Sequence, residues 1–277
     1  MLKRLLAHPQ ARGLAPDAPR TTELRRAIIR NKKFLYRIYE EWYGELIAAV
    51  PAPNTCPGRV LELGSGGGFL KDMLPECITS DVLLCNGVDM ALDARSLPFA
   101  DGSLRAILMV NVFHHIPESA AFLREASRVL APGGVVAMWE PWNTPWSRVM
   151  NMHLHSEPFV PEAADWSFSS PGPLSEANGA MPWIVFERDK ARFAEDFPAL
   201  RLETLRLDYP CSYLVAGGVS MRALAPGCFF SFIRMLERCM SFLGNQSAMF
   251  AFITLRRETD NEGARQQVFP QFGRGRQ

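Results

Sequence analysis

The segment from Arg59 to Leu74 constrains the fold more than any other part of the chain. It starts with the apolar run RVLEL, passes through five residues of which four are glycine (GSGGG), and ends in the helix-like FLKDML. A buried strand that turns through glycines into a helix directs backbone N–H groups at one point, and the missing side chains let a ligand touch the main chain. The segment therefore predicts a pocket for a nucleotide-like ligand.

The spacing of the glycines distinguishes between two kinds of nucleotide pocket. The dinucleotide fingerprint G-x-G-x-x-G requires a glycine at its sixth position. That position is Phe69 when the count starts at Gly64 and Lys71 when it starts at Gly66. The spacing therefore disfavours a nicotinamide or flavin oxidoreductase.

Strands and helices alternate after the glycine segment. Strand candidates follow at Ile78–Asp81, Val88–Leu92, Ala106–Val110 and Val135–Trp139, and later at Leu202–Leu207 and Met249–Leu255. One helical face, Phe122 to Leu130, lies between two of these strands and ends before Pro132-Gly133-Gly134. This order predicts an α/β fold with a doubly wound, mostly parallel sheet of about seven strands.

Four motifs in this order resemble the class I S-adenosylmethionine-dependent methyltransferases, and in particular a type 11-like methyltransferase domain. Glu62, Gly64, Gly66 and Gly68 carry the motif E-x-G-x-G-x-G. Three later segments resemble the family's D-A-x-x-L-P-F motif, its fourth strand with the following loop, and its helix with a P-G-G turn: DARSLPF (93–99), AILMVNVFHHI (106–116) and FLREASRVLAPGG (122–134). The resemblance covers residues 58–140 and implies a Rossmann-like methyltransferase sheet with S-adenosyl-L-methionine as the cofactor.

The resemblance also implies which residues bind that cofactor: Glu62, Gly64, Ser65, Gly66, Gly68, Asp81, Val82, Asp93, Ala94 and Asn111. Asp81 ends the second strand about twenty residues after Glu62, the spacing at which an acid holds ribose hydroxyls. In the family, the residue at the position of Asp93 faces the adenine amino group. Simpler alternatives remain: the glycines serve tight packing, Asp81 and Asp93 are turn residues, and Asn111 satisfies loop backbone.

His114 and His115 are the candidate catalytic residues. They follow the fourth strand, and an imidazole that titrates near neutrality can take a proton from an acceptor hydroxyl. Two alternatives stay open, namely that the histidines pack beneath the loop and that Glu140 is the base. His153 and His155 lack a third ligand at a suitable spacing, so the sequence predicts no metal site.

The remaining segments define the domain organisation. Composition predicts a flexible leader over residues 1–20 and a disordered tail over 259–277. Residues 21–258 form a single predicted domain, with a helical cap (21–50) whose N-cap is Thr22, a cofactor-binding half (58–140), and two insertions (141–182 and 211–244) that shape the acceptor site. The helix predicted from Pro226 to Leu243 has an apolar face with Phe229, Phe232 and Met240. Core or dimer packing is the favoured interpretation of this face, and an acceptor pocket and shallow membrane docking are the alternatives.

Composition and charge exclude several classes of function. Thirty basic residues against 29 acidic ones give a net charge of +1, without the basic stripe that nucleic-acid binding needs. The chain has no stretch near the roughly 20 apolar residues that span a bilayer, so any membrane contact is expected to be peripheral. Six scattered cysteines predict reduced thiols and a cytoplasmic location.

These observations predict a methyltransferase that acts on a small-molecule, saccharide or lipid-like acceptor, by in-line transfer to oxygen, as a monomer or homodimer. The sulfonium already activates the methyl group, so alignment of donor and acceptor is the main task of the protein. The alternatives are a non-catalytic scaffold that binds the cofactor and, on the glycine spacing less favoured, a nicotinamide or flavin oxidoreductase.

Overall fold

The computed structural model describes His8 and residues 18–154, 157–172, 175–209, 211–239 and 244–259. The strands are β1 (Arg59–Leu63), β2 (Ile78–Asp81), β3 (Met90–Ala91), β4 (Leu104–Val110), β5 (Leu130–Pro141), β6 (Leu200–Asp208) and β7 (Phe250–Arg257). The α-helices are α1 (Pro19–Asn31), α2 (Lys33–Ala49), α3 (Leu70–Met73), α4 (Ser119–Val129), α5 (Pro145–Leu154), α6 (Met181–Trp183), α7 (Lys190–Asp196), α8 (Ser212–Ala216), α9 (Phe230–Cys239) and α10 (Gly244–Ser247). Short 3₁₀ turns cover Ser65–Gly67, Phe113–His115 and Gly227–Phe229, and a π-helical turn covers Ile184–Arg188.

The seven strands form one sheet in the order β3-β2-β1-β4-β5-β7-β6. Strands β1 to β5 pair in parallel, whereas β7 runs antiparallel to both β5 and β6. This arrangement confirms the predicted doubly wound, mostly parallel Rossmann-like sheet. The carboxyl ends of β1, β2 and β4 lie side by side, which is where ligands bind in sheets of this kind.

Both faces of the sheet are covered by apolar layers. Along β4 the side chains alternate, with Ile107 and Met109 in one core and Ala106 and Leu108 in the other. Helix α4 packs in the first core. Helix α2 packs in the second, where Trp42 stacks on Trp139 at 5.7 Å between ring centroids. Central strands that are buried on both faces explain the nearly continuous apolar runs in the sequence.

The predicted N-terminal cap is two helices that meet at Lys32. Thr22 lies inside α1, which begins at Pro19, so its prediction as an N-cap is wrong; Pro at the first helical position needs no N–H partner and starts the helix instead. Lys32 has extended backbone and donates through Nζ to the carbonyl of Gly218 at 2.7 Å and to that of Met221. Burial lowers the pKa of Lys32 to about 8. This lysine ties the junction between α1 and α2 to the segment after α8.

Three predicted elements differ clearly from those observed. Strand β3 has two residues, not five, and β5 starts at Leu130, so the predicted turn Pro132-Gly133-Gly134 lies inside this strand, where its register with β4 shifts. The long apolar helix predicted after Pro226 is a 3₁₀ turn followed by α9. The predicted disordered tail beyond Thr259 and most of the predicted leader lie outside the described residues. In the described part of the chain, no helix combines the length and apolar character required to cross a membrane.

Candidate active site

A cavity of about 470 Å³ opens at the carboxyl ends of the parallel strands. The residues that end β1, β2 and β4 (Leu63, Asp81 and Val110) all line it. Its volume lies in the range typical of small-molecule sites. The wall contains these predicted site residues: Gly64, Asp81, Val82, Asp93, Ala94, Asn111, His114 and His115.

The other four predicted residues, Glu62, Ser65, Gly66 and Gly68, form the layer that supports this wall. Gly64 starts the glycine turn with a φ of 70°, a left-handed conformation that favours glycine. A Cβ on Gly66 would lie 2.2 Å from Thr22 Cγ2 and 2.4 Å from Asp81 Oδ2, so helix α1 rests directly on the turn. Arg26 of α1 also donates from Nε to the Gly66 carbonyl at 3.1 Å. The turn is therefore shaped by close approach of α1 from one side.

Glu62 is buried behind the glycine turn, next to the Tyr43 hydroxyl. Burial raises the pKa of Glu62 to about 7, against the lowering effect of its hydrogen bonds with Ser65 and Tyr43. The Tyr43 hydroxyl also fills the space that a Cβ on Gly68 would need, because the two would be 1.9 Å apart. Glu62 and Tyr43 thus pack behind the glycine turn and support it.

The Asp81 carboxylate faces the cavity and already accepts hydrogen bonds from backbone N–H groups. Oδ2 accepts from Gly66 N at 3.1 Å and Oδ1 accepts from Leu83 N at 3.0 Å. Burial raises the pKa of Asp81, and these backbone hydrogen bonds oppose the rise. A carboxylate has about four acceptor positions, so two bonds leave capacity for hydroxyl donors of a ligand.

Asp93 also lines the cavity, but it is paired with a neighbouring arginine. It accepts from Arg95 N at 2.9 Å and forms a salt bridge with the Arg95 guanidinium at 2.7 Å, while Arg95 also reaches Glu118 at 2.8 Å. The hydrogen bond from Arg95 lowers the pKa of Asp93. Asp93 therefore caps a turn in this structure, as the simpler alternative expected, and also reaches the cavity.

Asn111 marks the end of β4 with an unusual backbone. Its φ is 57°, one of two positive values among described residues other than glycine. Its N–H donates to the Trp139 carbonyl at 2.9 Å, and its side chain hydrogen-bonds the buried Tyr39 hydroxyl. Strained backbone of this kind persists where the surroundings enforce it, and such positions cluster at ligand sites.

His114 is held by a buried carboxylate. Its Nδ1 lies 2.6 Å from Glu140 Oε2, while Glu140 Oε1 accepts from the backbone N–H groups of Val112 and Phe113 at 2.7 Å each. Burial by itself lowers the pKa of His114, but the charge and hydrogen bond of Glu140 outweigh it and raise the pKa to about 9. Glu140 is fully buried and occupied, so the suggestion that it is the base is wrong; it orients His114 instead.

His115 stands beside His114, with ring centroids 4.3 Å apart. Its Nδ1 lies 3.3 Å from the Glu176 carbonyl, and its Nε2 lies 3.9 Å from Glu157 Oε1. Burial, and next the positive His114, lower the pKa of His115 to about 4. His115 is therefore neutral at physiological pH.

Several cavity residues come from outside the recognised motifs. Thr22, Arg25 and Ile28 of α1 and Tyr39 of α2 contribute one wall. The two predicted insertions contribute another: Met150, Leu154, Glu157 and Phe159 come from the first, and Tyr213, Leu214 and residues 217–221 from the second. The amphipathic spacing of α1 was visible in the sequence, but nothing local indicates that it covers the glycine turn.

Helix α9 and the 3₁₀ turn before it do not line the cavity with their aromatic residues. Phe229 and Phe232 are 49% and 53% exposed, while Arg234 and Glu237 are buried. Arg234 pairs inward with Glu41 at 3.0 Å, with Asp208 at 3.1 Å and with Glu237 at 2.6 Å. The acceptor-pocket interpretation of Phe229 and Phe232 is therefore wrong, because neither residue lines the cavity and both are about half exposed. Met240 and His155 lie outside the described residues.

Comparison with known proteins identifies the central part of the chain. Residues 61–138 match the model of a family described as a methyltransferase domain, and over these residues the resemblance to class I methyltransferases is confirmed. A curated relative, 2-methyl-6-phytyl-1,4-hydroquinone methyltransferase of Synechocystis sp., is 33% identical over 76 residues, which are 27% of this chain and 24% of the relative. The match thus spans about a quarter of that relative's length.

Solved structures resemble a larger share of the chain at low sequence identity. Geranyl diphosphate C-methyltransferase from Streptomyces coelicolor A3(2) is 15% identical, with a TM-score of 0.48 over 91% of this chain and 89% of that one. An S-adenosylmethionine-dependent methyltransferase from Mesorhizobium loti is also 15% identical, with a TM-score of 0.44 over 77% of this chain and 96% of that one.

Proposed function

We propose that the chain binds S-adenosyl-L-methionine in this cavity and transfers its methyl group to an oxygen of a small, largely apolar acceptor. One observation carries the proposal: the glycine turn, Asp81, Asp93 and Asn111 all meet at the carboxyl edge of a parallel sheet. The match to a methyltransferase domain over residues 61–138 supports this assignment over an oxidoreductase.

The cofactor occupies the side of the cavity formed by β1 and β2. Ribose hydroxyls donate to the acceptor positions of Asp81 that its two backbone hydrogen bonds leave open. The adenine lies toward Val82, Asp93 and Ala94, which line the wall at β3. In this pose the sulfonium points toward Asn111 and the histidines that follow β4.

The acceptor enters from the side formed by the two insertions. Met150, Leu154, Phe159 and Leu214 give this wall an apolar surface, and burial of ligand area there contributes about 25 cal/mol per Å². Quinols, phenols, hydroxylated lipids and partly apolar saccharides fit such a wall. We further propose that the protein works in the cytoplasm, as a monomer or homodimer, without nucleic acid.

Methyl transfer to oxygen requires that the acceptor lose its proton. His115 is neutral and lines the cavity, so its ring can take that proton, while His114 remains bound to Glu140. General-base assistance contributes about a hundredfold or more when the base titrates near the working pH, and His115, with its pKa lowered to about 4, contributes less than that. The two adjacent histidines therefore have different tasks in the proposal.

The test is transfer of labelled methyl groups from S-adenosylmethionine to a panel of quinols, phenols, hydroxylated lipids and saccharides, extended to an extract of the host. Labelled product together with S-adenosylhomocysteine supports the proposal, and Asp81→Ala should lower the rate of formation of both about ten- to a hundredfold at limiting cofactor. Cofactor binding without transfer to any component of the host extract would favour the non-catalytic scaffold.

A further inference from the structure

His114, His115 and Glu157 converge on one wall of the cavity. The distance from His114 Nε2 to Glu157 Oε2 is 3.5 Å, and that from His115 Nε2 to Glu157 Oε1 is 3.9 Å. One ligand atom from each of the three residues lies within 4.8 Å of the others. The two histidines lie in the turn after β4 and Glu157 lies in the first insertion. Because these segments are distant in the sequence, no local motif predicts the group.

The hydrogen bonds behind the two imidazoles fix which ring nitrogens face the group. His114 Nδ1 lies 2.6 Å from the Glu140 carboxylate, and His115 Nδ1 lies 3.3 Å from a backbone carbonyl. A carboxylate and a carbonyl accept hydrogen bonds, so each Nδ1 carries a proton and donates it. Both Nε2 atoms face the Glu157 carboxylate. Without an ion, a proton on His114 Nε2 supplies the positive charge between them, and a bound metal ion takes the place of that proton.

The spacing fits a metal ion. Zn²⁺ bonds to imidazole nitrogen and carboxylate oxygen are about 2.0–2.2 Å long, so tetrahedral ligand atoms lie about 3.4 Å apart. The 3.5 Å separation between His114 Nε2 and Glu157 Oε2 matches that edge, whereas the 3.9 Å separation runs from His115 Nε2 to the other oxygen, Oε1. Because one ligand atom from each residue lies within 4.8 Å of the others, the group closes around an ion when the Glu157 carboxylate rotates and the ligands move together by up to about an ångström. Metal-binding histidines also usually donate their second ring N–H to a carboxylate or carbonyl, as both do here.

We propose that His114, His115 and Glu157 bind one divalent transition-metal ion, with Zn²⁺ as the preferred ion. Two imidazoles and one carboxylate suit Zn²⁺ better than Mg²⁺ or Ca²⁺, which take oxygen ligands. The carboxylates of Glu157 and of Glu140, which is buried behind His114, together balance the two positive charges of the ion. Three protein ligands leave a fourth position open toward the cavity, as in catalytic zinc sites.

The open position takes an oxygen of a hydroxylated or phenolic acceptor, a role that rests on the proposed methyl transfer. Coordination lowers the pKa of the acceptor hydroxyl, whose proton passes to water. The oxygen then forms the new O–CH₃ bond while the S–CH₃ bond breaks, and the electron pair of that bond stays on sulfur. With the ion bound, both histidines act as ligands, and the metal replaces His115 as the group that activates the acceptor.

The direct test titrates metal-free, tag-free protein with Zn²⁺ by calorimetry and with Co²⁺ by visible absorption. Exposed Cys228 and Cys239 are changed to Ser beforehand, so that surface thiols do not compete. We expect one ion per chain and the intense spectrum of low-coordinate Co²⁺ with nitrogen and oxygen ligands. In ¹⁵N-imidazole spectra of the same protein, Zn²⁺ should shift the signals of two of the five histidines.

Matched variants locate the ion. His114→Gln, His115→Gln and Glu157→Gln should each weaken Zn²⁺ binding by more than about a hundredfold, and Glu140→Gln by about ten- to a hundredfold. His153→Ala is the control, because His153 is an exposed histidine outside the group and should leave affinity unchanged.

The experiment distinguishes failure of the metal site from failure of the proposed function, because the affinity for S-adenosylhomocysteine is measured on the same samples. If Zn²⁺ does not bind, or binds equally well to all three ligand variants, the metal site is rejected even when the cofactor analogue binds. The wild-type ¹⁵N spectra decide the matter if the variants do not fold: the site is also rejected if no histidine signal, or only that of an exposed histidine, moves with Zn²⁺. If Zn²⁺ binds at these residues but S-adenosylhomocysteine does not bind, the metal site stands and the proposed methyl transfer fails.

Discussion

Asp81 has two tasks in the candidate site. It holds the N–H groups of Gly66 and Leu83, and it offers its remaining acceptor positions to the cavity. A change at this residue therefore affects the shape of the glycine turn as well as the proposed contact with the ribose. The two effects act in the same direction on cofactor affinity.

We expect Asp81→Ala to weaken the binding of S-adenosylhomocysteine about ten- to a hundredfold, since it removes hydrogen bonds worth about 1–3 kcal/mol. Calorimetry provides the dissociation constants. Asp72→Ala is the matched control, because Asp72 is an exposed acid on α3 that pairs with Arg30 and does not line the cavity. Equal affinities for the two variants would contradict the role of Asp81.

Glu62 makes stability depend on pH in a defined window. Its pKa rises from the ordinary glutamate value of 4.5 to about 7 on folding, mainly by burial. The folded protein thus binds more protons than the unfolded chain between these values, and the contribution of Glu62 to stability is present at low pH and lost as the pH rises through 7.

We therefore compare the free energy of unfolding of Glu62→Gln with that of the wild type at two pH values. The difference, variant minus wild type, should be about 2–3 kcal/mol larger at pH 8 than at pH 4.5. Urea unfolding at both pH values without cofactor measures the difference, and the titration of other groups cancels in the comparison. A difference that is independent of pH would show that Glu62 ionises normally in the folded protein.

At the scale of elements, the contact between α1 and the glycine turn organises the cofactor side of the cavity. A Cβ on Gly66 would collide with Thr22 and Asp81, whereas one on Gly67 would meet nothing closer than 3.6 Å. Two neighbouring glycines thus differ sharply in the space around them.

We expect Gly66→Ala to lower the free energy of unfolding by about 1–3 kcal/mol and to weaken cofactor binding, because the added methyl group pushes α1 and Asp81 away from the turn. Gly67→Ala should change stability by no more than about 0.5 kcal/mol. Thr22→Ala added to Gly66→Ala should recover part of the loss. Similar losses in both single alanine variants, measured by urea unfolding, would contradict the close packing of α1.

Helix α9 turns Arg234 and Glu237 inward and part of its apolar surface outward. Phe230 is the buried aromatic residue of this helix, with its ring 5.2 Å from that of Phe34 and the Arg37 guanidinium 4.6 Å from the same ring. Phe232, two positions on, is about half exposed.

We expect Phe230→Ala to cost about 3–5 kcal/mol of stability and Phe232→Ala to change it by less than about 0.5 kcal/mol. Both variants should retain the wild-type affinity for S-adenosylhomocysteine when folded, since neither residue lines the cavity. A large loss for Phe232→Ala in urea unfolding would show that another surface covers this side of α9.

The sequence predicts elements best where the signal is local. Gly64, Asp81 and Asn111 were found because each sits at a strand end inside a short motif, and those strands form as expected. Tyr39 and Glu157 were not found, because they reach the cavity from distant segments and carry no motif of their own. The α9 prediction failed for a related reason: periodicity identifies an apolar face, but ion pairs with Asp208 and Glu41 decide which face turns inward.

Across the whole molecule, the sheet supplies one half of the cavity and the added segments supply the other. The strand ends place Asp81, Asn111 and the histidines at one edge, and this half coincides with the methyltransferase-domain match. Helix α1 and the two insertions close the remaining sides. In the proposed function, the central part binds the cofactor and the added parts select the acceptor.

The most direct test of this account is calorimetric titration of the wild-type protein with S-adenosylhomocysteine, with NADH as the comparison ligand. The account predicts one bound S-adenosylhomocysteine per chain and no measurable binding of NADH. The absence of binding by S-adenosylhomocysteine, or tighter binding by NADH, would contradict the assignment of the cavity as a methyl-donor site.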